Sequence, residues 1–116
     1  MKAWSSALER EVGNWPQVST RAFFGFTALY RKDQMFAALP RTRGMETANS
    51  LAFKLEEQGP AVLARREQDA RIRGWSSPTR KARWFAFELS SDADLHDALE
   101  WLGMAYEAAG KNKKLR

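Results

Sequence analysis

The segment from Arg21 to Leu39, RAFFGFTALYRKDQMFAAL, constrains the fold more than any other part of the chain. Two apolar runs, Phe26 to Tyr30 and Met35 to Leu39, flank the polar residues Arg31 to Gln34. Short aromatic and aliphatic runs joined by a polar turn are typical of a β-hairpin. Gly25 interrupts the aromatic residues ahead of this hairpin. The segment therefore predicts the centre of a small sheet.

Apolar periodicity and turn residues predict further elements on both sides of the hairpin. An apolar stripe that starts at Trp4 predicts a first helix, and Pro60 suits the first turn of a second. Ser91 and Asp94 form a capping box before a third helix that should end at Gly110. The other predicted strands are Val18–Phe24, Ser50–Leu55 and Arg83–Leu89, and Ala70–Trp75 is an extended segment that would make the second of one or two strands after the second helix. The order predicts an α+β fold: one antiparallel sheet of about five strands, with helices packed mainly on one face.

The length and the composition bound what the chain can be. With 116 residues, one domain is expected over residues 1–110, followed by a basic flexible tail over residues 111–116. The chain has no cysteine, which excludes disulfides and thiolate chemistry and fits a reducing compartment. Neither a secretory signal nor an apolar run long enough for a bilayer is present, so we expect a cytoplasmic protein without a membrane partner.

Several short motifs along the chain resemble those of a known group of small domains. They are Thr20 to Gly25, Leu29-Tyr30, Met35 to Ala37, a strand that carries a lysine from Leu51 to Leu55, and the closing helix. In this combination the chain resembles the TfoX N-terminal-like domains, a group close to the YjbR-like proteins. The resemblance spans most of the chain and implies a small bacterial α+β domain in a regulatory or nucleic-acid-associated context. It implies no catalytic residues and no cofactor.

A basic segment is the sharpest candidate for a ligand site. Residues 41–83 hold ten basic and five acidic residues, whereas residues 84–110 hold six acidic and no basic ones. The candidate nucleic-acid-binding residues are Arg65, Arg66, Arg71, Arg73, Arg80, Lys81 and Arg83. Arginine forks fit phosphate oxygens, and an aromatic residue between them can stack on a base. The alternative is a solvated, salt-bridged face, because Glu67 and Asp69 interrupt the run.

The five tryptophans are more than one core of this size readily buries. Trp75, Trp84 and Trp101 are the expected interaction surface, since Trp101 lies off the leucine stripe of the last helix and Trp84 alternates with the strand phenylalanines. A sheet covered on both faces is the alternative. The acidic last helix could also dock against the basic segment of a second copy, which favours a dimer.

No arrangement of residues predicts catalysis. The single histidine, His96, shares a helix face with Asp92 and Glu100, but capping and solvation are the ordinary roles of such carboxylates, and no metal site is assigned. No triad and no glycine-rich phosphate loop can be assembled. We therefore expect a non-enzymatic interaction or regulatory domain that acts through an aromatic sheet surface. Its partner is a protein or a second copy, and direct nucleic-acid binding is the alternative.

Overall fold

A computed structural model describes residues 3–41, 49–55, 60–74 and 84–112 of the chain. Three helices and six strands form within these residues. The helices are α1 (Ala3–Gly13), α2 (Pro60–Gln68) and α3 (Asp94–Asn112). The strands are β1 (Val18–Phe23), β2 (Phe26–Arg31), β3 (Gln34–Pro40), β4 (Ser50–Lys54), β5 (Ile72–Gly74) and β6 (Trp84–Glu88). Within the described residues, none of the helices combines the length and the apolar character needed to cross a membrane.

All six strands form one antiparallel sheet in the order β1-β2-β3-β4-β6-β5. The first four strands follow one another as a meander, and β6 then enters between β4 and the short edge strand β5. This architecture confirms the predicted α+β class and the predicted order of helices and strands. The sheet has six strands, one more than the predicted number of about five, because both segments proposed between α2 and α3 are strands.

Two tight turns build the first half of the sheet. The predicted hairpin is present, with Arg31 paired to Gln34 and Lys32 at a φ of 57° between them. A second hairpin precedes it, in which Phe24 and Gly25 connect β1 to β2 at φ values of 50° and 88°. Two consecutive left-handed residues make a type I′ turn, whose twist matches that of the strands it joins.

The sheet has a helix-side face and an outer face. The helix-side face carries Leu29, Phe53 and Phe87, which are fully buried in the core cluster with α1 and α3. On the outer face, four alanines stand in one row across β2, β3, β4 and β6, each at most 3% exposed. The row is Ala28, Ala38, Ala52 and Ala86. The helices thus cover the phenylalanine-rich face of the sheet.

Helix α3 supplies the largest part of the helical core. Its buried residues recur with helical period and are Ala98, Trp101, Leu102, Ala105, Tyr106 and Ala109. The helix continues to Asn112, so the predicted stop at Gly110 is wrong. A Cβ at this position would collide with the Arg31 guanidinium, so the glycine allows a close approach and does not end the helix. The expected tail begins as helix through residue 112, and residues 113–116 lie outside the described part.

The hydroxyl of Tyr106 ties the end of α3 to the turn before β1, and we expect its removal to be measurable. It donates a hydrogen bond to the carbonyl oxygen of Pro16 at 2.8 Å. Tyr106→Phe should lower the free energy of unfolding by about 1 kcal/mol in urea titration. Tyr30→Phe is the matched control, because its hydroxyl makes no hydrogen bond within the described residues. Equal losses in the two variants would contradict the assignment.

Candidate interaction surface

The arginines of α2 lie against the last helix and the sheet. Arg65 donates a hydrogen bond from Nη2 to Oε1 of Glu100 at 2.5 Å, and its guanidinium lies 5.0 Å from the Trp101 ring centre. The guanidinium of Arg66 lies 4.6 Å from the ring centre of Phe85. Arginine stems and guanidinium planes commonly cover aromatic surface in this way.

Arg71, in the turn after α2, binds three carboxylates at once. It donates hydrogen bonds from Nε and Nη2 to Asp69 at 2.9 and 2.8 Å, from Nη1 to Asp94 at 2.6 Å, and from Nη2 to Asp97 at 3.1 Å. Its guanidinium also lies 4.7 Å from the ring centre of Phe87. This one side chain therefore connects the turn after α2 to the first turn of α3 over the sheet.

The electrostatics of this cluster follow from the hydrogen bonds. The Arg71 side chain holds the pKa of Asp69 below its usual value. The pKa of Asp94 is also lowered, first by the backbone N–H of Ser90 and then by Arg71. The three carboxylates in turn raise the pKa of Arg71 further, with Asp69 contributing most. The single positive charge of Arg71 thus faces three carboxylates.

The remaining residues of the predicted basic site are described only in part. The backbone of Arg73 pairs with Ala86 in the sheet, and its side chain lies outside the described set. Arg80, Lys81, Arg83 and the neighbouring Trp75 also lie outside the described residues. The structure therefore brings Arg65, Arg66 and Arg71 together beside α3, each engaged with a carboxylate or an aromatic ring.

Trp101 does not belong to an exposed surface, which corrects the sequence expectation. Its side chain is 1% exposed, and its ring lies 5.5 Å from that of Phe53. It points into the core because the small neighbours Ala98 and Ala105 let this side of α3 approach the sheet. Trp84 is half-buried and lies on the outer face, two residues from the alanine row.

The acidic face of α3 does not assemble a metal centre in the described residues. The His96 Nε2 atom lies 3.4 Å from Oε2 of Glu100, and His96 is 81% exposed. No group of three potential ligands comes together among the described residues. Glu100 instead forms an ion pair with Arg65.

The most exposed apolar feature of the described residues is the pair Phe23 and Phe24, here called the Phe23–Phe24 tip. The two side chains are 41% and 77% exposed, and their rings pack edge to face with centres 4.8 Å apart. They stand at the end of the β1–β2 hairpin, with Phe24 in a left-handed backbone conformation. A bulky residue with positive φ is an outlier, because glycine or a small polar residue normally occupies such a position.

The tip ends a long sheet edge. β1 has six residues, pairs only with β2 among the described strands, and is exposed along almost its whole length. A groove of about 490 Å³ runs beside it and is here called the α1–β1 groove. Its lining residues are Ser6, Glu9, Arg10, Gly13, Asn14, Val18, Ser19 and Thr20. An exposed edge strand beside a helix is a common binding surface for another strand.

The sequence contained a signal for this tip that the expectation did not use. Gly25 marks the second position of a two-residue hairpin turn, which leaves Phe24 at the first position, exposed at the end of the hairpin. Comparison of the chain with protein-family models, with curated proteins and with solved structures finds no match.

Proposed function

We propose that this chain is a non-catalytic interaction domain of regulatory type, in keeping with its resemblance to the TfoX N-terminal-like domains. The observation that carries the proposal is the Phe23–Phe24 tip, in which a phenylalanine is 77% exposed at a φ of 50°. Neither property helps the isolated domain to fold. A residue that is unfavourable in both respects is expected where a partner contacts it.

The energetic argument can be made for Phe24 alone. The left-handed conformation costs an L-residue roughly 1–2 kcal/mol, and asparagine or glycine lowers that cost in a type I′ turn. The contact with Phe23 returns part of this free energy, since edge-to-face ring pairs contribute about 1 kcal/mol. The phenylalanine at this position therefore gives the fold no net advantage that a smaller turn residue would lack.

Replacing Phe24 should separate stability from binding. We expect Phe24→Asn to leave the free energy of unfolding unchanged, or to raise it by up to about 1 kcal/mol in urea titration. A loss above about 1 kcal/mol would show that the ring serves the fold, and would count against the proposal.

Binding at the tip can be tested with a photoreactive phenylalanine analogue at position 24 in cells that produce the protein. The matched control carries the analogue at Lys32, which is also exposed and left-handed at a hairpin turn. We expect reproducible capture of a defined protein, or of a second copy, from position 24 and not from position 32. Equal capture from the two positions, or none from position 24, would overturn the proposal.

Nucleic-acid binding by the basic segment stays an alternative without a specific observation in its favour. Arg65, Arg66 and Arg71, whose side chains the structure describes, already contact carboxylates or aromatic rings. A phosphate group would have to compete with Asp69, Asp94 and Asp97 for Arg71. The proposed function therefore rests on the hairpin tip.

A further inference from the structure

We infer that the edge of β1 binds a second copy of this chain, with the two β1 strands antiparallel and Thr20 facing Thr20 across a two-fold axis. The inference rests on the proposed function, because it names the partner of the Phe23–Phe24 tip. Four features of the described residues support it: the free backbone groups of β1, the register they allow, the ends of the strand, and the charges on α1.

The hairpin geometry determines which backbone groups of β1 face outward. Phe23 and Phe26 close a two-residue type I′ turn, so this pair exchanges hydrogen bonds across the hairpin. Pairs that exchange hydrogen bonds alternate with pairs that do not, which places the N–H and C=O groups of Thr20 and Ala22 on the open side. The N–H of Val18 is already bonded to the carbonyl of Trp15, so Val18 offers its carbonyl oxygen.

The register with Thr20 at the two-fold axis uses all of these groups except the Ala22 carbonyl. With Thr20 at the axis, the two Thr20 residues exchange a pair of hydrogen bonds, and each Ala22 N–H meets the Val18 carbonyl of the other copy. Shifting the axis to Arg21 would place two guanidinium groups opposite each other, which is unfavourable. Shifting it to Ala22 would oppose Thr20 to Phe24, which belongs to the turn and not to the strand.

The two ends of β1 are complementary in the register centred on Thr20. Beyond the two ends of the paired strands, the turn residue Phe24 of one copy then comes near the Trp15-Pro16 turn of the other, in which Trp15 is half-buried. The exposed ring at the tip is thereby offered an apolar surface of proline and indole. Because the axis is two-fold, this contact forms twice, once at each end of the paired strands.

Helix α1 carries charges that suit the same symmetry. Glu9 and Arg10 line the α1–β1 groove, and their side chains form no ion pair within the described residues. Pairing the strands brings the α1 helices of the two copies to the same side of the joined sheet. Glu9 of one helix can then face Arg10 of the other in both directions, as a self-complementary interface requires.

The two edge strands of the described sheet differ in how well they are protected from pairing with another strand. The opposite edge strand, β5, has only three residues, whereas β1 has six residues, one charged side chain and no proline. Natural sheets usually block long edges with charges, prolines or bulges. An unblocked edge beside a groove is therefore the expected place for strand pairing.

Sedimentation equilibrium of the 13.3 kDa chain from about 1 µM to about 1 mM tests the inference, and we expect the average mass to rise towards that of a dimer. Ala22→Pro removes an outward N–H, which an edge strand tolerates, and should weaken association about tenfold or more. Ala22→Ser keeps the N–H and should associate like the natural chain. A monomer at every concentration, or equal association of the two variants, would overturn the inference.

Charge reversal tests the axis itself. Glu9→Lys and Arg10→Glu should each weaken self-association because each places like charges across the interface. Mixing the two variants should restore association, since every cross-axis pair is then attractive. Absence of recovery in the mixture would contradict the two-fold arrangement. If the chain is monomeric but position 24 still captures another protein, the proposed function stands and the second copy is not the partner.

Discussion

Truncating Trp101 to alanine is expected to lower the free energy of unfolding by about 3–5 kcal/mol, because it opens a cavity in the middle of the core. The indole is 1% exposed and packs on the Phe53 ring, and the guanidinium of Arg65 covers it from α2. Its loss would remove contacts to the sheet and to α2 at once. For a domain of this size such a loss is a large share of the total stability.

Urea denaturation followed by far-ultraviolet circular dichroism measures this effect without relying on the indole signal. Trp101→Phe is the matched variant, because it keeps an aromatic ring in the site and should lose clearly less stability. A loss below about 1 kcal/mol for Trp101→Ala would instead place the indole on a free surface, as the amino-acid sequence had indicated.

Replacing Arg71 with methionine is the second large change, and we expect a loss of about 2–3 kcal/mol near neutral pH. The substitution keeps an unbranched chain over the Phe87 ring but removes the guanidinium. Asp69, Asp94 and Asp97 would then face one another without the cation that now binds all three. Arg71→Lys should lose less stability, since it restores the charge but not the fork that reaches several carboxylates.

The effect of Arg71→Met should depend on pH with a definite sign. The pKa values of Asp69 and Asp94 are lowered in the folded protein, so their stabilising contribution is complete above the ordinary carboxyl range. It is lost as the pH falls through the lowered values. The difference in stability between natural and variant chains should therefore shrink as the pH falls below about 4. A difference that stays constant down to pH 2 would contradict the role of the ion pairs.

The same variant distinguishes the two functional hypotheses. If the basic segment binds nucleic acid through Arg71, Arg71→Met should weaken a salt-dependent gel shift under conditions in which the variant is still folded. If Arg71 only connects α2 to α3, the loss appears in unfolding and not in binding.

The sequence alone was sufficient for the elements whose signals are local. The hairpin around Arg31 to Gln34 and the strand before Leu89 each combine a strong apolar run with a clear boundary. The start of α3 is equally local, since the Asp94 carboxylate accepts hydrogen bonds from the N–H groups of Ser90 and Ser91. Such signals act within a few residues and do not depend on the rest of the fold.

Features that depend on distant contacts could not be predicted in this way. The leucine stripe of α3 suggested one helix face, but Ala98 and Ala105 rotate the buried side towards Trp101. Alanine carries little apolar weight in a periodicity argument, yet its size decides how closely a helix approaches a sheet. The insertion of β6 between β4 and β5 is also invisible in the sequence, because strand order depends on pairing between distant segments.

The candidate site shows the same difference between features with local signals and features that depend on distant contacts. The arginines of the basic segment were identified by their density, but only the fold shows that Arg71 is surrounded by acids from two elements. The exposed Phe24 was hidden within an aromatic run that looks like core. Its exposure follows from a turn of two residues, which moves one ring of the run out of the sheet.

The central position of α3 has a consequence for how the protein is made. All strands of the described sheet precede Trp101 in the chain, so the phenylalanine layer has no α3 to cover it until this last helix is made. The early strands cannot become a finished unit on their own, because the helix that closes their core is still missing. Apolar surface that is exposed before α3 packs on the sheet favours aggregation of the incompletely folded chain.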